Sequence, residues 1–138
     1  MSRKLFVNLP VKNLDASVAF FGKLGFTFDP TLTDENAASM IVNEHTSVML
    51  LVESRFSDFT SKKIVDTADQ AEVIFSFSVE SREEVDELVA TAIGAGGSPV
   101  GEKEDHGFMY SWSFQDIDGH LWGVLYWDAA AFAAMQQQ

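Results

Sequence analysis

Leu5-Phe6-Val7-Asn8-Leu9-Pro10-Val11, followed by a helical pattern over Asn13 to Leu24 and then Gly25-Phe26-Thr27-Phe28, decides the fold because the chain writes it twice. The second copy runs Val73-Ile74-Phe75-Ser76-Phe77-Ser78-Val79, a helical pattern over Arg82 to Ile93, and then Gly94 to Val100. Val11 and Val79 end the two opening strands, an offset of 79 − 11 = 68 residues. A repeat of this length describes two packed modules rather than a solenoid. It also makes the cleft between the modules the first place to expect a site.

Working outward, residues 4–11 alternate, with Leu5, Val7, Leu9 and Val11 on one face and Phe6, Asn8 and Pro10 on the other. That is a half-buried strand, with Pro10 near its end or at a sheet edge. Asn13 or Asp15 can cap the next helix, whose Leu14, Val18, Phe21 and Leu24 keep helical spacing. After Gly25 come a short strand at Phe26 to Phe28, a polar turn at Thr33 to Asn36, and strands at Ala38 to Val42 and Ser47 to Val52. A hairpin at Asn43-Glu44-His45-Thr46 joins the last two. In the second copy Ser81-Arg82-Glu83-Glu84 reads as a capping box, and Val85, Leu88, Val89, Ala92 and Ile93 form one apolar stripe. Strands follow at Ser98 to Glu102, Phe108 to Phe114 and His120 to Trp127, the last two joined at Asp116-Ile117-Asp118-Gly119. Each copy is thus βαβββ. The expected organisation is one domain over 1–138, with a module at 4–53, a connection at 54–71, a module at 72–128 and a tail at 129–138. The connection reads as a lid or as a surface linker held by Phe56 and Phe59. Ala129 to Met135 reads as a short terminal helix and Gln136 to Gln138 as frayed.

Composition narrows the function classes. A chain of 138 residues has ample apolar content for a core. With no cysteine, neither a disulfide framework nor a thiolate site is available, which fits a reducing, cytoplasmic setting. No apolar h-region follows Met1-Ser2-Arg3-Lys4, so no signal peptide is expected. No apolar run is long enough to span a membrane. A net charge of −12 repels phosphate backbones, so no nucleic-acid partner is expected.

Paired βαβββ modules resemble the vicinal oxygen chelate superfamily of glyoxalases, extradiol dioxygenases, fosfomycin-resistance proteins and bleomycin-binding proteins. Two segments carry the resemblance: Leu9-Pro10-Val11-Lys12-Asn13-Leu14-Asp15-Ala16-Ser17-Val18-Ala19-Phe20-Phe21 with Leu24-Gly25-Phe26, and Phe114-Gln115-Asp116-Ile117-Asp118-Gly119-His120. A third, Asp105-His106-Gly107-Phe108-Met109-Tyr110, is similar to a subgroup of lactoylglutathione lyase-related proteins. The resemblance implies an α+β fold, two βαβββ modules forming a curved mixed sheet around a cleft, the glyoxalase/bleomycin resistance fold, with helices outside. It also implies metal ligands on four strands, at positions that match Phe6, Leu50, Ile74 and Gly123 here. None of these side chains can coordinate a divalent cation, which needs imidazole, carboxylate or thiolate donors. A one-residue slip brings in Leu5 or Val7, Met49 or Leu51, Val73 or Phe75, and Trp122 or Val124, which are no better. No metal and no other cofactor is therefore expected.

Alternation then proposes what lines the cleft: Phe6 and Asn8, Val48, Leu50 and Val52, Ile74, Ser76 and Ser78, and Leu121, Gly123 and Leu125. Trp112 is a further candidate for stacking on a planar ligand. An apolar wall with a few hydroxyl and amide groups suits a small organic molecule; the alternative is that these residues pack on one another and leave no pocket. Among the histidines, His45 falls in a hairpin turn and His120 off the parity of the cleft. His106 precedes a strand rich in aromatics and, with Tyr110, is the candidate for acid–base catalysis; its alternative is a hydrogen-bonded structural role. The Asp116/Asp118 pair is explained by turn chemistry. The expectation is a glyoxalase-like small-molecule-binding protein, lactoylglutathione lyase-related, with its metal positions lost. Two alternatives stand beside it: a drug-sequestering protein of the bleomycin-binding type, and a metal-independent enzyme using His106 and Tyr110. The resemblance further implies a homodimer, with Trp122, Val124 and Tyr126 or the Ala-rich terminal helix as the apolar contact.

Overall fold

The computed structural model describes residues 3–137; Met1, Ser2 and Gln138, and with them part of the predicted leader-free start and frayed end, lie outside the described residues. The chain divides into two compact units at Asp66/Thr67. Each is a βαβββ module with one open, mixed sheet, as the repeat requires.

The first unit holds β1 (Leu5–Val11), α1 (Leu14–Lys23), β2 (Thr27–Asp29), a 3₁₀ turn (Pro30–Leu32), β3 (Ala37–Asn43), β4 (Thr46–Val52) and a one-turn helix α2 (Glu53–Phe56). Its strands lie in the order β1-β4-β3-β2, with β1 parallel to β4 and the other pairs antiparallel. Asn13 caps α1, its Oδ1 accepting from the Ala16 amide at 3.0 Å. Gly25 takes a positive φ of 98° to leave the helix. Leu14, Ser17, Phe20 and Phe21 of α1 are buried, together with Leu9, Val11, Ala38, Met40, Val48 and Leu50 of the sheet. That is one apolar seam between a helix and one face of a sheet.

The second unit repeats the plan with β5 (Ile74–Ser78), α3 (Arg82–Gly94), β6 (Ser98–Asp105), β7 (Met109–Gln115), β8 (Leu121–Trp127) and a terminal α4 (Ala129–Gln136). Its order is β5-β8-β7-β6, with β5 parallel to β8. Ser81 caps α3 at the expected offset from Asn13, its Oγ accepting from the Glu84 amide at 3.1 Å. Val85, Val89 and Ala92 bury against Phe114, Trp122 and Val124. Asp128 caps α4, accepting from the Ala131 amide at 3.0 Å, and Phe132 of that helix packs on Phe108 and Trp127.

Two local expectations change. The sixth strand extends to Asp105 through an irregularity between Val100 and Glu104, where Gly101 adopts a φ of 68°. Gln136 is helical rather than frayed. In the connection, Phe59 faces outward beneath the Arg55 guanidinium, 4.7 Å from its ring, so it does not pin the segment. No helix among the described residues is long and apolar enough to cross a membrane.

Candidate functional site: the open faces of the two sheets

Each sheet has one face packed beneath its central helix, α1 or α3, and one face turned away from it. Register assigns every strand residue to a face, because directly paired residues point the same way. In the first unit the uncovered face carries three cross-strand rows: Phe6–Ser47–Ile41, Asn8–Met49–Ser39 and Pro10–Leu51–Ala37. This corrects the parity expected for β4. Leu50 pairs with Leu9, is 0 % exposed and belongs to the seam beneath α1, as do Val48 and Val52. Val48 to Val52 is apolar on both faces and offers no alternation to count. The one cue is polar Ser47, which marks the open face, and Met49 is the residue that takes the expected place of Leu50 there.

Two hydroxyls on this face stand out. Ser39 and Ser47 are each 1 % exposed, and neither Oγ has a hydrogen-bond partner. Buried polar groups are almost always paired, so two orphans on one face call for a reason. At the margins of the face, the Lys4 ammonium lies 5.2 Å from the Phe6 ring. Asp29 sits opposite Ser39, its carboxylate held below the usual range by bonds from Thr31.

In the second unit the uncovered face reads Ile74–Leu121–Gln115, Ser76–Gly123–Ser113 and Ser78–Leu125–Ser111 across β5, β8 and β7. Here Ile74, Ser76, Leu121 and Gly123 lie on one face as expected, and Ile74 is 65 % exposed. Gly123 leaves a gap: a Cβ there would meet Ser76 Oγ at 2.8 Å and Ser113 Oγ at 3.7 Å.

Trp112 and Tyr110 are on the other side. They pair with Val124 and Tyr126 on the face beneath α3, so Trp112 does not line the open face, nor does Tyr110. The Tyr110 hydroxyl donates to Asp86 of α3 at 2.7 Å. The Lys103 ammonium lies 3.4 Å from the same carboxylate oxygen and 4.9 Å from the Trp112 ring. The Asp86 bond pushes the Tyr110 phenol up to about 12, which suits it to holding a proton rather than passing one. His106 lies in the turn between β6 and β7, half-exposed, with Nε2 3.6 Å from Glu104. The two candidate catalytic groups thus face different partners. Trp122 and Val124, expected at a dimer contact, are instead buried beneath α3.

The turn between β7 and β8 is built around Asp116. Its Oδ1 accepts from the Asp118 and His120 amides at 2.9 and 3.0 Å, and its Oδ2 accepts from Trp122 Nε1 at 3.0 Å. Burial raises the Asp116 carboxyl above its ordinary value, against the pull of His120 and these donors. His120 is itself buried. Thr67 closes the turn, its hydroxyl donating to the Asp118 carbonyl. The motif is architecture, in line with the turn chemistry read from the sequence.

A model of the bleomycin resistance protein-like N-terminal family matches residues 3–43. A hypothetical protein of S. aureus is similar at 30 % identity, over 91 % of this chain and 95 % of that one, with a TM-score of 0.77. The family model thus covers β1 to β3, and the S. aureus protein shares the fold along nearly the whole chain. Solved proteins of the glyoxalase/bleomycin resistance protein/dioxygenase group share the same fold at lower identity. A family enzyme of Burkholderia phytofirmans is 17 % identical over 91 % of this chain and 98 % of that one, with a TM-score of 0.73. A fosfomycin resistance protein of Listeria monocytogenes, solved with Mn(II) and sulfate, is 16 % identical over 99 % and 98 %, with a TM-score of 0.70. No curated protein matches the sequence.

The superfamily's metal does not fit the residues present. Phe6, Ile74 and Gly123 offer no donor side chain, and Leu50 is turned into the seam with Met49 in its place. A lone thioether does not hold a hard divalent cation. Among the described residues no group of three or more histidine, aspartate or glutamate side chains is placed to hold a metal.

Proposed function

We propose that this protein binds a small organic molecule on an open sheet face, without a metal of the superfamily type. One observation carries the reading. Where the resemblance implies imidazoles and carboxylates, the open faces present Phe6, Met49, Ile74 and Gly123, framed by Asn8, Ser39, Ser47, Ser76, Ser113 and Leu121. Apolar surface with a few placed polar groups is what small-molecule recognition uses. A lactoylglutathione lyase step is not part of the proposal, since it needs an enediolate held on a metal. A drug-sequestering role of the bleomycin-binding type is its narrower form, favoured by 21 acidic against 9 basic residues, which draw a cationic guest by long-range attraction. A homodimer belongs to the same proposal. Surfaces open to it include edge strand β5, with exposed Val73 and Ile74, and the half-exposed Trp127 beside α4.

Elemental analysis with native mass spectrometry of the purified protein tests the reading. The expected result is a co-purifying organic mass, no stoichiometric transition metal, and no rise in Tm on adding Mn(II). A transition ion held at one equivalent through dialysis overturns it.

A further inference from the structure

We propose that Ser39 and Ser47 are a paired anchor for an uncharged hydrogen-bonding group of the bound molecule: a carboxamide, ketone or hydroxyl. This rests on the ligand-binding reading above and names the chemistry of its polar contact. Both hydroxyls lie on the open face of the first sheet, on neighbouring strands. Ser47 stands between Phe6 and Ile41 across the sheet, with Met49 next along its own face. Ser39 stands beside Met49, between Ala37 and Ile41 on its strand. Ser47 is thus a short polar side chain among larger apolar ones, Ser39 lies between Met49 and Asp29 across the sheet, and both hydroxyls are nearly sealed from solvent and without a partner.

A hydroxyl in that state has lost its water and gained nothing, which opposes folding. Alanine would fill either position at no such cost. A ligand that bonds to the two hydroxyls would account for their being kept. A serine hydroxyl both donates and accepts, so two of them complement a group that does the same. An ionised group is a poor occupant, because its desolvation needs an opposite charge within reach. Asp29, opposite Ser39, is already engaged by the Thr31 amide and hydroxyl, and Lys4 lies over Phe6 at the other edge of the sheet, so neither charge is free to pair with an ionised guest at both hydroxyls. The apolar body of the molecule would rest on Phe6, Met49 and Ile41, of which Phe6 and Ile41 are exposed.

Backbone amide NMR titrations with benzamide, benzoate and benzylamine test this. Benzamide is expected to shift the amides of β3 and β4 saturably, with benzoate and benzylamine about tenfold weaker on the same resonances. Combining Ser39→Ala with Ser47→Ala is expected to weaken benzamide about tenfold, the loss of one good hydrogen bond, while the spectrum stays folded. Equal benzamide affinity in the double variant, or benzoate matching benzamide, overturns the anchor and leaves the binding reading standing. If none of the three fragments shifts any open-face resonance of either sheet, the binding reading falls and this one with it.

Discussion

The two modules share their local code and differ in what they do with it. Asn13 and Ser81 cap equivalent helices by the same bond to the amide three residues on. Asn43 and Asp116 open equivalent final turns by the same bond to the amide two residues on. In the first module that turn is exposed and the Asn43 side chain holds the His45 amide at 2.8 Å. In the second the Asp116 side chain is buried and also accepts from the His120 amide and Trp122 Nε1, while Thr67 closes the turn at the Asp118 carbonyl. The open faces diverge as well: Phe6, Met49 and Ile41 surround two sealed hydroxyls in one, and four serines surround Gly123 in the other. A repeat therefore fixes backbone geometry in both copies, while burial decides what each position is worth.

That contrast is sharpest at the turns. Asp116→Ala is expected to cost about 3–4 kcal/mol, because it strands the buried Trp122 N–H and two amides at once. Asn43→Ala, exposed, is expected to cost only about 0.5 kcal/mol. Urea unfolding of both variants measures the gap, and equal losses would mean that the second turn is no more of a hub than the first. Gly119→Ala follows at about 2–4 kcal/mol: Gly119 has a φ of 89°, and an added Cβ would lie 2.5 Å from the Thr67 carbonyl oxygen, backbone that cannot swing aside. Gly123→Ala is the control. Its one close approach would be to the Ser76 hydroxyl at 2.8 Å, the end of a side chain that can change rotamer, with Ser113 Oγ at ordinary contact distance, so a loss below about 1 kcal/mol is expected.

The open faces differ in the sign of the effect. Ser39→Ala and Ser47→Ala are each expected to stabilise by about 1 kcal/mol, by removing a buried hydroxyl that has no partner. Ser76→Ala, at an exposed position, is expected to stay within about 0.5 kcal/mol of wild type. Loss of stability in both sheet-one variants would show that those hydroxyls have found partners in solution.

Strands, caps and both βαβββ modules were legible because periodicity, Asn13, Ser81 and the glycines speak locally. Faces were legible only where a strand alternates. Ile74-Phe75-Ser76-Phe77-Ser78 does so, and its open face was read correctly. Thr46 to Val52 does not, and its parity came from matching Leu50 to a superfamily position; the parallel partner β1 sets it the other way. Tyr110 and Trp112 were drawn toward a site by their chemistry, although both alternate in phase with buried Phe114. The orphaned state of Ser39 and Ser47 could not be read in advance, since it depends on neighbours from three strands.

The helix-covered faces supply the finest comparison. Beneath α1 the seam is almost wholly apolar, whereas α3 meets its sheet through Asp86, Tyr110 and Lys103, with Arg82 bound to Asp105 at 2.8 Å and to the Gly107 carbonyl at 3.0 Å. Only the second seam should therefore respond to alkali. The Tyr110 phenol ionises near 12 against a usual 10.0, chiefly because its proton is held in the bond to Asp86. A pKa raised on folding stabilises fully below the unfolded value and loses that contribution as pH rises through the folded one. This part of the stability should accordingly be constant up to about pH 10 and fade towards pH 12. Ultraviolet titration of the phenolate should show one tyrosine ionising late, and Asp86→Ala should bring it back towards 10 by removing both the acceptor of its bond and the charge that opposes phenolate formation. An unchanged titration in that variant would transfer the effect from Asp86 to burial alone, and the second seam would then be no more ionic in its behaviour than the first.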